Sequence, residues 1–445
     1  MAMAGGRGSF ASRLGFILAA AGSAVGLGNV WKFPYLAGTH GGAVFLIVYL
    51  GFVFTIGISV MLAEFAIGRA GEKNPVGAFK HLKGGAWTGV GYLGVVGSCV
   101  ILSFYSVIGG WTIAYAVKTA AGMLSLADAK AFGGAFGAFV ADPLQPILYH
   151  LAFMAMTIAI VARGIERGIE RACRLLMPLL FVIVVVLCAR SLTLPGAMAG
   201  IKFFLNPDFS KLTGAMVTAA LGQAFFSLSL GMGSMITLGS YLSRQTHLAG
   251  SALWVTSLDT LIAILAGFMI LPAVFAFGFD PGAGPGLSFI TLPAVFAKMP
   301  WGAGFGTLFF VLLAVAALTS AFSLLEVVVA FLVDEKGWTR AKAAYGAGAA
   351  IFLLGVPSSL SFGAWEDLKL FGKGFFELMD YAASNVMLPL GGVLIALFVG
   401  WVVSPRIMAE ATHQDGKLFR LAPAWRVICR YVAPLAIAWV LISGL

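Results

Sequence analysis

The sequence predicts an all-α membrane protein of eleven spans, built as two inverted five-helix halves whose first and sixth helices are broken. Three observations predict it. Hydrophobic residues make up 60% of the 445-residue chain and charged residues only 10%, against roughly 45–50% and about 25% in soluble domains. The apolar residues fall in long unbroken runs. Two of those runs carry glycine and serine at mid-length.

Composition fixes the class. A water-soluble fold needs a polar outer layer, and a chain with a mean hydropathy of +0.98 cannot supply one. This excludes a soluble enzyme, a disordered chain and a nucleic-acid-binding module. Long apolar blocks, rather than ten-residue alternation, exclude an outer-membrane barrel. The 57 glycines suit helices that pack closely in lipid. The net charge of +10 comes from Lys and Arg in short loops between apolar blocks, which is a pattern of orientation signals. Cys99, Cys173, Cys188 and Cys429 show no metal spacing and read as reduced packing residues. The five histidines form no H-x-x-H pair, so no metal centre of that kind is expected.

A helix needs about 20 apolar residues to cross a bilayer. Eleven stretches qualify in order: 14–38, 42–69, 88–122, 144–162, 173–190, 213–242, 247–277, 302–333, 341–356, 376–403 and 424–444. The first reaches Phe33-Pro34 with no normal cleavage site, so it reads as a retained span, not a signal peptide. The run 281–300 carries Pro281, Gly282, Gly284, Pro285, Gly286 and Pro293 and reads as an outer loop. A cytoplasmic N-terminus puts the basic loops at 69–83 and 163–174 inside, as the positive-inside rule asks. Eleven crossings then leave the C-terminus outside.

The first span contains Gly22-Ser23-Ala24-Val25-Gly26-Leu27-Gly28-Asn29. The sixth contains Phe226-Ser227-Leu228-Ser229-Leu230-Gly231-Met232-Gly233. Backbone freed in lipid is expensive unless it lines a cavity or meets an ion. Spans one and six correspond in a five-plus-five arrangement, with halves 14–190 and 213–403 and the helix 424–444 outside them. Broken helices at matching positions of two inverted halves imply a transporter with substrate and ions at the breaks. Gly22-x-x-x-Gly26 alone would read first as a helix-packing motif, and the matching second break reverses that order.

These residues carry a resemblance. Arg13–Leu18 with Gly26-Leu27-Gly28-Asn29-Val30-Trp31-Lys32-Phe33-Pro34 resembles the first helix of the neurotransmitter:sodium symporter family. Gln223–Gly231 resembles its sixth helix, and Ala317-Leu318-Thr319-Ser320 its eighth. Arg163–Glu170 and Phe289-Ile290-Thr291-Leu292-Pro293 also match. The resemblance covers almost the whole chain. It is nearest to bacterial carriers of hydrophobic amino acids of the leucine-transporter type, themselves a known instance of inverted repeats with broken helices.

The resemblance implies two sodium ions. The first would be held by Ala24, Asn29, Ser227, Asp259 and the substrate carboxylate. The second would use Gly22, Val25 and Ala316 carbonyls with the Thr319 and Ser320 hydroxyls. Oxygen donors suit a hard cation, and 316, 319 and 320 share one helical face. The two hydroxyls would otherwise bond their own helix backbone. Asp259 stands where the family usually has Asn. An ionisable group in mid-membrane is functional by default. Its fixed charge implies transport without chloride, and its protonation on the return step would export a proton.

The half-helix beginning near Leu27–Gly28 would aim its positive end at a carboxylate, and the Phe226 carbonyl would meet an ammonium. The implied substrate is therefore a zwitterionic amino acid. Its side chain would meet Ile101, Tyr105, Phe226, Ser229, Met232, Ser320 and Leu324, with Ala24 and Ser227 near the head group. None of these is charged. Met232 replaces a phenylalanine of the leucine transporter, and its flexibility implies room for large or aromatic side chains. Lys32 with Asp380 would form an outer gate, looser than the usual Arg would make it, beneath which Tyr105 and Phe226 form a lid. Arg7 with Asp334, supported by Tyr241, would form the inner one, although Arg7 also fits a plain orientation charge. Glu64 and Glu326 would accept hydrogen bonds from freed backbone or be buried protonated. The reading is of a sodium-coupled importer acting as a monomer in a bacterial inner membrane. A channel would need a polar pore, and a membrane-embedded enzyme an acid–base or nucleophile pair.

Overall fold

The structure is a computed structural model that describes residues 8–122, 129–282, 284–403, 405, 407, 409, 410, 413, 414, 417, 418 and 421–444. Among these residues nine helices are long and apolar enough to cross a membrane. A tenth span is the pair Arg13–Ala24 and Gly28–Thr39, bent by 48° at its break. The sixth predicted span is two pieces, Gly214–Ser227 and Ser234–Gly239, each too short to cross alone. Length and composition therefore reach ten spans. The expected eleventh depends on counting those two pieces as one broken helix.

The chain is a multi-pass membrane protein, and its surface shows why. On Arg171–Leu192 the residues Leu175, Leu179, Val182 and Val186 are all exposed. Their spacing of four, three and four places them on one helical face. Such a stripe would be a liability in water and is ordinary in lipid. Extended pairing is slight among the described residues. His413–Gln414 lies antiparallel to Lys417–Leu418 in the connection before the last helix.

The two longest helices, Thr88–Ala120 and Gly302–Lys336, pack against each other along the molecule's centre. The second has 35 residues, about 52 Å at 1.5 Å per residue. That exceeds a hydrocarbon core of roughly 30 Å, so it tilts or protrudes. Glycine permits the closest approaches. A Cβ on Gly110 would lie 2.6 Å from the His150 nitrogen, and one on Gly68 would lie 2.0 Å from the Ile236 carbonyl. The latter contact seats the second piece of the sixth helix on Ile58–Gly71. The stretch 281–300 forms no crossing and ends in the short helix Thr291–Ala297. There Phe289 stacks with Phe136 and Phe310 and meets Trp31, Trp111 and Tyr115 edge-on. The four cysteines are free.

Candidate substrate and ion site

The helix Arg13–Ala24 starts at Ser12, whose hydroxyl accepts from the Gly15 N–H at 2.9 Å. It stops where Gly26 and Gly28 remove the side chains that would otherwise collide. A Cβ on Gly26 would sit 2.5 Å from Ser320 Oγ, and one on Gly28 would sit 3.0 Å from the Phe226 ring. The freed amides find partners. The Gly26 N–H donates to Asn29 Oδ1 at 3.0 Å, and the Leu27 N–H to the Tyr105 hydroxyl at 3.3 Å. In the sixth helix the break runs from Leu228 to Gly233. It contains Gly231 and Gly233 at positive φ, and Ser229 at φ 54°.

The two breaks meet. Ser229 Oγ donates to the Ser23 carbonyl at 2.8 Å, and Ser320 Oγ donates to the same carbonyl at 3.1 Å. Beside them lies a cavity of about 30 Å³. Ala24, Gly28, Ile101, Tyr105, Phe226, Ser229, Met232, Ser320 and Leu324 line it. Ser23 and Gly26 also line it and were not expected to. Leu27 and Ser227 do not reach it. Leu27 turns its backbone N–H to Tyr105, and the Ser227 hydroxyl turns away to Asp259. Gly26 lies in the break and Ser23 in the last turn of the helix before it, so the nearness of both to the interruption was the signal available in the sequence.

Behind the cavity Asn29, Ser227 and Asp259 form one buried cluster. Asn29 Nδ2 donates to Asp259 Oδ1 at 2.7 Å and to Ser227 Oγ at 2.9 Å. Ser227 Oγ donates to Asp259 Oδ2 at 2.8 Å. Tyr49, which no sequence motif marked, donates to Ser227 Oγ at 3.3 Å. Asn29 enters as a donor, its own oxygen being turned to Gly26. The cluster therefore gathers a carboxylate, a hydroxyl and an amide around one point in the apolar interior.

A second oxygen cluster joins the first and eighth helices. Thr319 Oγ1 lies 3.4 Å from the Val25 carbonyl and 3.0 Å from that of Ala316. Ser320 Oγ lies 3.5 Å from the Gly22 carbonyl. The hydroxyls thus touch both the backbone of their own helix and the carbonyls at the end of the first. All five expected oxygens converge. They are neutral, hard donors of the kind an alkali cation accepts.

The pair expected as an outer gate differs from expectation. The Lys32 ammonium lies 4.4 Å from the centre of the Phe226 ring, a cation–π contact. No ion pair within 4 Å joins it to Asp380 among the described residues. Asp380 instead accepts from Ser384 Oγ at 2.9 Å, one turn along. The physical reason is that a lysine is a single flexible point charge, free to rest on the aromatic lid. Of the expected inner gate, Arg7 lies outside the described residues. Asp334 accepts from the Asn74 N–H at 2.8 Å and from Asn74 Nδ2 at 3.1 Å. Tyr241 donates to Glu326 Oε1 at 2.6 Å. Glu326 also pairs with Arg340, so its partners are side chains, not freed backbone. Sequence reasoning missed Arg340. A lone arginine opening the ninth helix, facing a buried glutamate of the eighth, was the available signal. Glu64 does meet the break, accepting from the Gly231 N–H at 2.7 Å.

Known proteins resemble this chain in sequence and fold. The model of the sodium:neurotransmitter symporter family matches residues 7–131 and 144–445. The chain is 43% identical over 438 residues to the uncharacterised sodium-dependent transporter YhdH of Bacillus subtilis, covering 98% of this chain and 97% of that protein. It is 38% identical to an uncharacterised sodium-dependent transporter of Haemophilus influenzae, covering 99% and 98%. The crystal structure of MhsT in complex with L-phenylalanine superposes with a TM-score of 0.91 at 48% identity, covering 99% of this chain and 100% of that one. With two broken helices meeting at a cavity flanked by two oxygen clusters, the chain belongs to the sodium:neurotransmitter symporter family and is a transporter, not an enzyme.

Proposed function

We propose that this protein imports hydrophobic L-amino acids, bulky and aromatic ones included, coupled to two sodium ions and independent of chloride. The observation that carries the reading is the meeting of the two breaks at an uncharged cavity, with Ser229 bonded to Ser23. Such a site brings the polar backbone of two interrupted helices to a zwitterion and gives a charged side chain no partner. The likeness to a protein crystallised with L-phenylalanine supports an aromatic substrate.

In this reading Ala24, Asn29, Ser227 and Asp259 hold one sodium ion, and Gly22, Val25, Ala316, Thr319 and Ser320 hold the other. Asp259 supplies the negative charge in place of chloride, cradled by donors from Asn29 and Ser227. Proton export on the return step follows from that same carboxylate. Two inward charges gain about 2.3 kcal/mol each per 100 mV of membrane potential. The halves 14–190 and 213–403 act as inverted repeats that rock to alternate access. The protein works as a monomer in a bacterial inner membrane, N-terminus inside and C-terminus outside.

Uptake of labelled tryptophan and leucine into liposomes tests the function. Accumulation above the outside concentration in sodium, and none in potassium, is expected. Mere equilibration in either salt would assign a channel. Asp259→Asn tests the charge assignment. Weaker sodium activation with a newly gained response to chloride is expected, and unchanged sodium affinity without that response rejects it.

A further inference from the structure

We propose that Ser98, which does not line the cavity, sets how large a substrate side chain the site accepts by pinning the backbone of Met232. The inference rests on the amino-acid reading above. Ser98 is fully buried on Thr88–Ala120, one turn before Ile101. Its hydroxyl donates to the Met232 carbonyl at 2.8 Å. Met232 is the one residue with a side chain between Gly231 and Gly233, both at φ 80°.

That run has no helical ladder, so its position depends on a few contacts from outside. The Gly231 N–H is held by Glu64 at 2.7 Å. Gly233 is wedged, since a Cβ there would lie 2.9 Å from Pro75 and one on Gly94 would lie 3.4 Å from the Gly233 backbone. Between these fixed flanks, the Ser98 bond holds Met232's own backbone.

The Met232 side chain forms one wall of the cavity, facing Ile101, Phe226 and Leu324. A thioether chain adapts its rotamers readily. The limit on that wall is therefore where the Met232 backbone sits. In a cavity of about 30 Å³ a small side chain leaves the wall in place, whereas an indole requires it to retreat. The Ser98 bond opposes that retreat. Ser98 is thus a positioning residue that acts through Met232.

The test is equilibrium binding of L-tryptophan and L-valine to the purified full chain in sodium buffer. It uses wild type, Ser98→Ala, Met232→Ala and the double variant. Losing one buried hydrogen bond changes an equilibrium about fivefold, so Ser98→Ala is expected to raise the tryptophan-to-valine affinity ratio by about that factor. Ser98→Cys keeps the size and weakens the donor, and is expected to shift the ratio the same way, by less. It carries the test should the alanine variant fail to fold. In the Met232→Ala background the Ser98→Ala shift is expected to vanish. General loosening would lower both affinities together and leave the ratio alone. A ratio unchanged within about twofold, inside the context-dependent spread of a single hydrogen bond, or one raised equally without the Met232 side chain, overturns the inference. A wild type that binds neither amino acid overturns the underlying reading and this inference with it.

Discussion

Ser229 Oγ donates to the Ser23 carbonyl at 2.8 Å, so the interruption of the sixth helix is hydrogen-bonded directly to that of the first. Ser229 holds this bond from a left-handed conformation, φ 54°, that costs a residue with a side chain about 1–2 kcal/mol. Ser229→Ala keeps that strain and loses the bond, whereas Ser229→Gly loses both. Both variants are expected to bind substrate about fivefold more weakly. The glycine variant is expected to be the more stable by about 1 kcal/mol, read from thermal unfolding in detergent.

Gly26 is the tightest point of the first break. Its Cβ position lies 2.5 Å from Ser320 Oγ and 3.0 Å from the Tyr105 hydroxyl. Gly26→Ala is expected to lose about 1–3 kcal/mol of substrate binding by overpacking. Gly89→Ala, in a helix where nothing lies within 4 Å, is expected to leave binding unchanged. Equal effects from the two would remove the break from the site.

Arg69 ties three segments of the chain together. It is 3% exposed and bonds the Glu410 carboxylate at 2.9 Å, the Glu410 carbonyl and the Thr246 carbonyl. Glu410→Ala strands a buried guanidinium and is expected to lower stability by about 3–5 kcal/mol. Arg69→Met, which removes the charge and keeps the packing, is expected to be milder. Thermal unfolding of both variants checks the order.

Glu326 holds Tyr241 at 2.6 Å and pairs with Arg340, so the stretch after the sixth helix, the eighth helix and the ninth are joined at one carboxylate. Glu326→Ala is expected to destabilise the substrate-loaded protein by about 3–5 kcal/mol. Arg340→Ala is expected to do nearly the same, and the double variant less than the sum of the two, because the groups form one network. Additive losses would argue that they act separately.

Lys32 rests on Phe226 at 4.4 Å, and among the described residues no ion pair within 4 Å joins it to Asp380. Lys32→Leu is therefore expected to speed substrate dissociation, and Asp380→Asn to do so much less. Release of labelled substrate from sodium-loaded protein measures both.

Much of this site was legible in the residues. The glycines and serines at 22–29 and 226–233 mark where a lipid-buried helix cannot continue, and the structure breaks there. Ala316, Thr319 and Ser320 share a face by spacing alone, and they do converge on Gly22 and Val25. What stayed hidden were partners across helices. Tyr49 against Ser227, Arg340 against Glu326 and Ser98 against Met232 lie 178, 14 and 134 residues apart.

From the order of residues alone it followed that the chain lives in a membrane, where its helices are interrupted, and which side chains lie on one face. Each of these follows from local composition or from the 3.6-residue period of a single helix. Packing in three dimensions settled which faces meet, which ring Lys32 rests on, and which hydroxyl bonds the Met232 carbonyl. Those outcomes depend on how helices rotate and slide against one another, and side-chain spacing along one chain does not encode that rotation.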